Sequence, residues 1–285
     1  MRSRLLILIA ALTLGLTALF VAGCGDDDDD DGGETTAEQT TGADTADLGL
    51  VKEGVLTVGT DAPFPPFEIG QPPDITGYDI EVMNAIAEEL GVEAEYIDTS
   101  FDTIFRDVAS GQFDIVAAAS TITPGRQKTV DFSDPYYEAQ QALLVPEGSD
   151  ITSVDDLSGK VVGTQDGTTG ETYANDETDA GEVRGFPEGP DAVQALVSGQ
   201  VDAVIIDQPV AVDAIDKQGG VEIVEEIPTN ELYGFAMAKG APLVEAVNSA
   251  LQTLKDDGTI AELYEKYFQA EPPDSVLNGT TENPS

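Results

Sequence analysis

Side chains that can bind a small molecule are concentrated in four short segments of the sequence, and each segment directly follows a predicted strand. The segments supply carboxylates, hydroxyls, amides, aromatic rings and one guanidinium, which together can hold a small polar molecule through charge and hydrogen bonds. They comprise residues 61–68, 119–126, 165–169 and 207–209. We therefore take these four strand ends as the candidate site.

The composition excludes several other kinds of chemistry. The 285 residues include no His and a single Cys, so neither a nucleophile paired with a histidine base nor a His or multi-Cys zinc site can be built. The 55 Asp and Glu residues outnumber the 12 Lys and Arg residues, and the net charge of -43 repels nucleic acid and anionic lipid head groups. We expect no metal, no cofactor and no nucleic-acid partner.

Strands and helices alternate along the chain and must position the four segments. Short apolar or β-branched runs predict strands at residues 55–60, 92–97 and 113–118. Apolar residues at helical spacing between Asp79 and Gly91 predict a helix that Asp79 caps and Gly91 ends. Strands that are apolar on both faces indicate a sheet covered by helices, hence an α/β fold.

Two sequence patterns occur twice, which indicates two lobes of similar build. Residues 109–116 (ASGQFDIV) correspond to residues 197–204 (VSGQVDAV), and residues 58–61 (VGTD) correspond to residues 162–166 (VGTQD). In the first pair a helix ends at a glycine and a strand opens with an aspartate. Two lobes in one chain enclose a cleft, and ligands of open α/β sheets bind beyond the carboxyl ends of the strands.

Several linked motifs occur in order along the chain. They are FPPFE at residues 64–68, GYDI at 77–80, TIT-x-x-R at 121–126 and VDFSDPYY at 130–137. Together they resemble the family-3 extracellular solute-binding proteins, which deliver polar amino acids to ABC transporters. The resemblance covers roughly residues 51–269 and implies a two-lobed, type II periplasmic-binding-protein-like α/β fold. Each lobe is then a mixed β-sheet flanked by helices, with the ligand in the cleft between the lobes.

The resemblance also divides the chain into lobes. Lobe 1 is expected to contain residues 48–138 and 234–269, and lobe 2 residues 139–233. The chain would cross between the lobes near residues 137–141 and 230–234. Bending at these crossings would close one lobe over a ligand bound to the other.

The resemblance assigns most site residues to the two charged groups of a free amino acid. Arg126 is expected to bind the carboxylate, helped by the Thr121 hydroxyl and the Thr169 amide. Asp207 is expected to bind the ammonium group, and the carbonyl of Ala119 can accept from it as well. The alternatives are that Arg126 is an ordinary surface arginine and that Asp207 caps the following helix.

The remaining site residues are expected to contact the ligand side chain. Phe64 and Phe101 match the positions whose rings flank its aliphatic part, with core packing as the alternative, while Phe67 is assigned to the core. Asp61 and Gln165 match positions that bind its polar end, with turn capping as the alternative. An apolar ligand would leave these two groups unpaired, at about 1–3 kcal/mol each, so a polar or cationic side chain is favoured.

The N-terminus predicts export and lipidation. Arg2 and Arg4 precede an apolar run at residues 5–22, and the following Gly-Cys pair resembles the bacterial lipoprotein processing box. We predict a signal peptide at residues 1–23 and, at residues 24–47, a lipidated Cys24 followed by a disordered acidic tether. The lipid would hold the protein on the outer face of the cytoplasmic membrane. A transmembrane anchor is the alternative, and residues 270–285 are predicted to be a disordered tail.

These observations predict the substrate-binding component of an ABC transporter for a polar or cationic amino acid. Its expected partners are the free amino acid, the transmembrane subunits of a permease, and the membrane through the lipid on Cys24. We expect a monomer that binds without catalysis. Two alternatives remain: an enzyme on the same scaffold that resembles the cyclohexadienyl or arogenate dehydratases, and a ligand-sensing surface lipoprotein without a transport role.

Overall fold

The structure is a computed structural model and describes residues 48–284. The predicted signal peptide, Cys24 and the acidic tether lie outside the described residues. The strands are β1 (Val55–Thr60), β2 (Glu93–Asp98), β3 (Ile115–Val116), β4 (Val130–Phe132), β5 (Tyr137–Pro146), β6 (Val161–Gln165), β7 (Glu182–Phe186), β8 (Ala203–Asp207), β9 (Val221–Tyr233) and β10 (Ala236–Ala238). The helices are α1 (Tyr78–Glu89), α2 (Phe101–Ala109), α3 (Thr169–Asp176), α4 (Gly189–Val197), α5 (Gln208–Gln218), α6 (Leu243–Asp256), α7 (Thr259–Phe268) and α8 (Asp274–Leu277). Within residues 48–284 no helix has the length and apolar character needed to cross a membrane.

The strands form two mixed sheets of five strands, one in each lobe. The order in lobe 1 is β2-β1-β3-β10-β4, and the order in lobe 2 is β7-β6-β8-β5-β9. In lobe 1, β1 is parallel to β2 and β3, and β10 is antiparallel to β3 and β4. In lobe 2, β6 is parallel to β7 and β8, and β5 is antiparallel to β8 and β9. Helices pack on both sheets, which confirms the predicted two-lobed α/β fold.

The repeated sequence patterns fall on equivalent strands of the two sheets. Asp114, just before β3, accepts hydrogen bonds from the backbone nitrogens of Val51 at 2.7 Å and Thr57 at 2.8 Å. Asp202, just before β8, accepts one from the backbone nitrogen of Val161 at 2.8 Å. In each lobe the repeated aspartate therefore ties the turn before one central strand to the start of its parallel neighbour.

The chain passes between the lobes beside a long antiparallel pair of strands, β5 and β9. Tyr137 at the start of β5 pairs with Tyr233 at the end of β9. Around this pair, the rings of Tyr136 and Phe235 stack at 4.0 Å, and fully buried Phe67 packs against Tyr137 at 5.0 Å. Phe67 thus lies in the core, as expected, and the crossing point is surrounded by tightly packed aromatic rings.

The segment after Gln269 differs from the prediction of a disordered tail. It contains α8, in which Val276 is fully buried. The side chain of Asn283 accepts from the backbone nitrogen of Phe132 at 2.9 Å and donates to its carbonyl at 2.8 Å, so it satisfies the outer edge of β4. The prediction is therefore wrong for residues 270–284. The prediction rested on the polar, proline-containing composition of this segment. Composition does not reveal that a side chain of the segment bonds to the edge of a strand.

Candidate ligand-binding site

A cavity lies between the two lobes at the carboxyl ends of β1, β3, β6 and β8. The space there that protein atoms do not fill is about 310 Å³, part of which is open to solvent. All the residues that the sequence assigned to ligand contact line this cavity, and Ala118 and Thr168 line it as well. They are Asp61, Phe64, Phe101, Ala119, Thr121, Arg126, Gln165, Thr169 and Asp207. The structure therefore brings the four strand ends together around one space.

Arg126 belongs to lobe 1, and its side chain bonds to the backbone of lobe 2. Its Nη1 donates to the carbonyl of Thr121 at 2.8 Å, and its Nη2 donates to the carbonyl of Gly167 at 3.1 Å. The guanidinium lies over the rings of Phe101 and Phe105, at 5.1 and 4.6 Å from their centroids. Burial lowers the pKa of Arg126 to about 10, so the group is still charged at neutral pH. Among the described residues no carboxylate lies within 4.0 Å of it, and a ligand carboxylate would supply the ion pair.

Asp207 ends β8 in lobe 2 and is 8% exposed. Its carboxylate accepts a hydrogen bond from Nε2 of Gln141, and its side chain makes no capping bond to α5. Asp207 therefore occupies the N-cap position of α5, as the alternative held, but its side chain does not bond to this helix. Burial and the nearby Glu231 carboxylate raise the pKa of Asp207 to about 8. A positive group that entered the cavity would stabilise its ionised form.

Asp61 and Gln165 meet from opposite lobes. Nε2 of Gln165 donates to Oδ2 of Asp61 at 2.8 Å, and the backbone nitrogen of Phe101 donates to the same oxygen at 3.0 Å. The second bond satisfies the start of α2, so Asp61 also has the turn-capping role considered as an alternative. No N–H or hydroxyl donor within residues 48–284 reaches its other, buried oxygen, Oδ1, although the Asp61 and Glu188 carboxyl groups are close enough to share a proton. Burial and the neighbouring Glu188 raise the pKa of Asp61 to about 8.

Phe64 and Phe101 form apolar walls of the cavity and also belong to the buried core. They are 8% and 6% exposed, respectively. The ring of Phe64 lies so close to Gly189 that a Cβ there would approach it to 2.8 Å. Each ring can therefore line the cavity with one face and pack in the core with the other, so the two interpretations are compatible.

Asp79 supports the cavity from behind and does not line it. The N-cap position of α1 is Gly77, so Asp79 does not cap this helix as predicted. Its Oδ2 accepts from the backbone nitrogen of Ala119 at 2.8 Å and from the Tyr136 hydroxyl at 2.6 Å. Ala119 has a φ of 42°, in the left-handed region that non-glycine residues rarely adopt. The Asp79 bond helps to hold this backbone, whose carbonyl was expected to face the ligand. Burial raises the pKa of Asp79 to about 6.

Glu231 is a buried acid near the cavity that the sequence analysis missed. It lies on β9 and accepts from the hydroxyls of Thr121 at 2.6 Å and Thr169 at 2.7 Å, and from Nε2 of Gln141 at 3.2 Å. Nothing in the sequence distinguishes it from the many other acids of this chain. The only available signal was its place within the predicted crossing at residues 230–234.

The fold places the protein in the class of two-lobed α/β binding proteins. Residues 56–270 match the bacterial extracellular solute-binding proteins, family 3, and the chain belongs to this family. A similar curated protein is the L-cystine-binding protein TcyJ of Escherichia coli strain K12. It is 34% identical over 235 residues, which is 80% of this chain and 88% of that protein.

Solved structures of amino-acid-binding proteins resemble the chain as well. An ancestral arginine-binding protein bound to arginine is 43% identical with a TM-score of 0.72, and the match covers 75% of this chain and 98% of that one. The ancestral amino acid-binding protein AncCDT-1, a precursor of cyclohexadienyl dehydratase, is 42% identical with a TM-score of 0.71, covering 75% and 96%. The predicted family and fold are thus confirmed, and the structural relatives named here are binding proteins.

Proposed function

We propose that the protein is the lipid-anchored substrate-binding component of an ABC transporter and captures a polar or cationic amino acid between its lobes. The observation that carries the proposal is the placement of Arg126 from lobe 1 and Asp207 from lobe 2 around one cavity. A free amino acid carries a carboxylate and an ammonium group, and these side chains complement both. Membership of a solute-binding family supports the proposal.

Capture in this proposal requires both lobes. Opening the cleft beside β5 and β9 would separate Arg126 from Asp207, so a ligand that binds both side chains favours the closed form. The closed form then presents surfaces of both lobes to the transmembrane subunits of the permease. No bond of the ligand changes, and the activity is binding rather than catalysis.

The end of the cavity around Asp61 favours a cationic ligand side chain. Oδ1 of Asp61, which no N–H or hydroxyl donor among the described residues reaches, is buried there, and Glu188 is close enough to raise the pKa of Asp61. Two neighbouring carboxyl groups are best matched by a guanidinium or an ammonium group, which lowers the energy of their ionised forms. The likeness to an arginine-binding protein supports the same ligand class.

The lipid anchor rests on the sequence alone. Cys24 follows the apolar run and a small residue, and it lies outside the described residues. In the proposal the lipid holds the protein on the outer face of the cytoplasmic membrane, close to its permease, where tethering raises its effective concentration. Mass spectrometry of Cys24 in membranes tests this part, because a diacylglycerol adduct is expected and an unmodified thiol would contradict it.

A thermal-shift screen against the twenty amino acids tests the proposed function. A ligand that binds the folded state raises the melting temperature, and we expect the largest shifts from L-arginine and L-lysine. A neutral sugar and a dicarboxylic acid without an amino group serve as negative controls. If no amino acid raises the melting temperature, the proposed function is wrong; if only neutral amino acids do, the cationic assignment alone is wrong.

A dehydratase activity is the second candidate, and two observations favour testing it. One is the likeness to AncCDT-1, a precursor of cyclohexadienyl dehydratase. The other is that Asp61 and Asp207 have pKa values raised to about 8, so either can supply a proton at neutral pH as a general acid must. Incubation with prephenate or arogenate distinguishes the candidates, because only the enzyme yields an aromatic product.

A further inference from the structure

Within residues 48–284, side chains join the lobes at three places, which differ in what a ligand would do to them. Gln165 of lobe 2 donates to Asp61 of lobe 1, and Arg126 of lobe 1 donates to Gly167 of lobe 2. Asp61, Gln165 and Arg126 line the cavity, so a bound ligand competes for the same groups. The third link runs through Glu231, which does not line the cavity, although the two threonines that donate to it do.

The Glu231 link is built on a single carboxylate oxygen. Oε2 accepts from the Thr121 hydroxyl of lobe 1 at 2.6 Å and from the Thr169 hydroxyl at the start of α3 in lobe 2 at 2.7 Å. Oε1 accepts from Nε2 of Gln141 at 3.2 Å. Glu231 is 8% exposed and makes no salt bridge within residues 48–284. Hydrogen bonds to a charged acceptor are stronger than neutral ones, and burial limits competition from water.

The link also fixes the direction of the two hydroxyl groups. A threonine hydroxyl has one proton, and in both residues this proton is donated to Glu231. Toward the cavity, each oxygen therefore offers only lone pairs, which can accept from an ammonium group but cannot donate to a carboxylate. The carboxylate is then left to Arg126 and to backbone amides such as that of Thr169, the first residue of α3.

We propose that Glu231 is a positioning residue that joins the closed lobes and turns the Thr121 and Thr169 hydroxyl oxygens toward the ligand as hydrogen-bond acceptors. It acts without touching the ligand, so its link persists when a ligand occupies the cavity. The closed form is then populated even without ligand. The part that concerns the ligand rests on the proposed function, whereas the joining of the lobes does not.

The distance between the lobes tests the link without any ligand. Cys24→Ser leaves the full chain free of cysteine, and Glu89→Cys in lobe 1 with Glu177→Cys in lobe 2 adds one exposed spin-label site on each lobe. Pulsed electron paramagnetic resonance should show a closed population in the ligand-free protein. Glu231→Ala should lower the ratio of closed to open form about tenfold, as expected for the loss of charge-assisted hydrogen bonds. Glu226→Gln, which removes an exposed acid from the same strand, should leave the distances unchanged.

Other variants separate a positioning role from damage to the fold. Thr121→Val removes the donor of this link that belongs to lobe 1 and should open the lobes as Glu231→Ala does, so the test remains valid if Glu231→Ala fails to fold. Glu231→Gln keeps an acceptor oxygen without the charge and should give an intermediate ratio. A ligand-free protein that is entirely open, or unchanged distances in these variants, would overturn the proposal. If no amino acid binds at all, the proposed function fails while this measurement still decides the link.

Discussion

The two lobes share one strand arrangement but carry different residues at equivalent strand ends. After β1 of lobe 1 comes Asp61, and the equivalent strand β6 of lobe 2 ends at Gln165. After β3 come alanines and Ser120, whereas the equivalent β8 ends at Asp207. Among the residues that line the cavity, the one guanidinium comes from Arg126 of lobe 1. The repeated residues build the sheets, and the residues that differ line the cavity.

The aspartates of the two lobes show the same contrast, because some of them stabilise the sheets and others line the cavity. Asp114 and Asp202 occupy equivalent places and bond to backbone nitrogens of their own lobes. Asp61 and Asp207 face the cavity and have pKa values raised to about 8. Substituting the first pair should therefore change stability, and substituting the second pair should change binding.

Arg126→Ala should have the largest effect on binding, because it removes the cation that the site offers to every amino-acid carboxylate. Truncating one partner of a buried charge pair costs about 2–5 kcal/mol, or roughly thirtyfold to several thousandfold in affinity. Isothermal titration calorimetry with the best ligand of the screen measures this loss. Arg106→Ala is the matched control, since its side chain is 73% exposed on α2 and should not affect binding. Equal affinity in the two variants would remove Arg126 from the site.

Asp207→Asn should weaken binding about tenfold to a hundredfold and abolish a pH dependence, by losing a charge-assisted bond to the ammonium group. In the ligand-free protein the pKa of Asp207 is raised to about 8 by burial and by Glu231. Binding of an ammonium group favours the ionised form, so protons are released and affinity rises with pH until about 8. Calorimetry in buffers of different ionisation enthalpy should detect this release in the wild type. If the Asp207→Asn variant still released a proton on binding, the proton would come from another group, with Asp61 as the first candidate.

Gln165→Ala should alter the ranking of ligands more than the overall affinity. The amide contacts Asp61 at the side-chain end of the cavity, whereas Arg126 and Asp207 bind groups that all amino acids share. We expect changes of about 1–2 kcal/mol that differ among ligands, comparable to one hydrogen bond. A thermal-shift panel of arginine, lysine, histidine and glutamine measures them. An unchanged ranking would show that Gln165 does not contribute to specificity.

Asp202→Ala should have the smallest effect on binding. It removes the acceptor for the backbone nitrogen of Val161 in an exposed hydrogen bond and should lower the free energy of unfolding by about 0.5–1.5 kcal/mol, the net contribution of a typical hydrogen bond. Affinity should stay within twofold of the wild type. Denaturant unfolding and calorimetry on the same preparation test both parts. A large loss of affinity would mean that the repeated aspartates belong to the site as well as to the scaffold.

Much of the site could be predicted from the sequence because its residues follow strands whose ends converge. The Thr-Ile-Thr motif located Thr121 and Arg126, and the repeated strand patterns located Gln165 and Asp207. Local capping was less predictable. The sequence favoured Asp79 as a cap for α1, but its carboxylate instead supports Ala119 through the backbone, which only the folded chain reveals.

Residues that act over long sequence distances were missed. Glu231 bonds to Thr121 and Thr169, which lie 110 and 62 positions away, and no local pattern encodes such a contact. Asn283 pairs with Phe132 across 151 positions, so the C-terminal segment was taken for a disordered tail. Both errors concern polar side chains in an acid-rich chain. Its composition leads one to expect that such side chains are exposed to solvent, whereas tertiary contacts place these two in hydrogen bonds.

Calorimetric titration with arginine and with agmatine tests the central claim most directly. Agmatine keeps the guanidinium of arginine and a primary ammonium group but lacks the carboxylate, so it removes only the partner proposed for Arg126. The account predicts that arginine binds the wild type at least a hundredfold more tightly than agmatine, about 2.7 kcal/mol or more, and that Arg126→Ala removes most of this difference. Equal binding of the two compounds by the wild type would contradict the account.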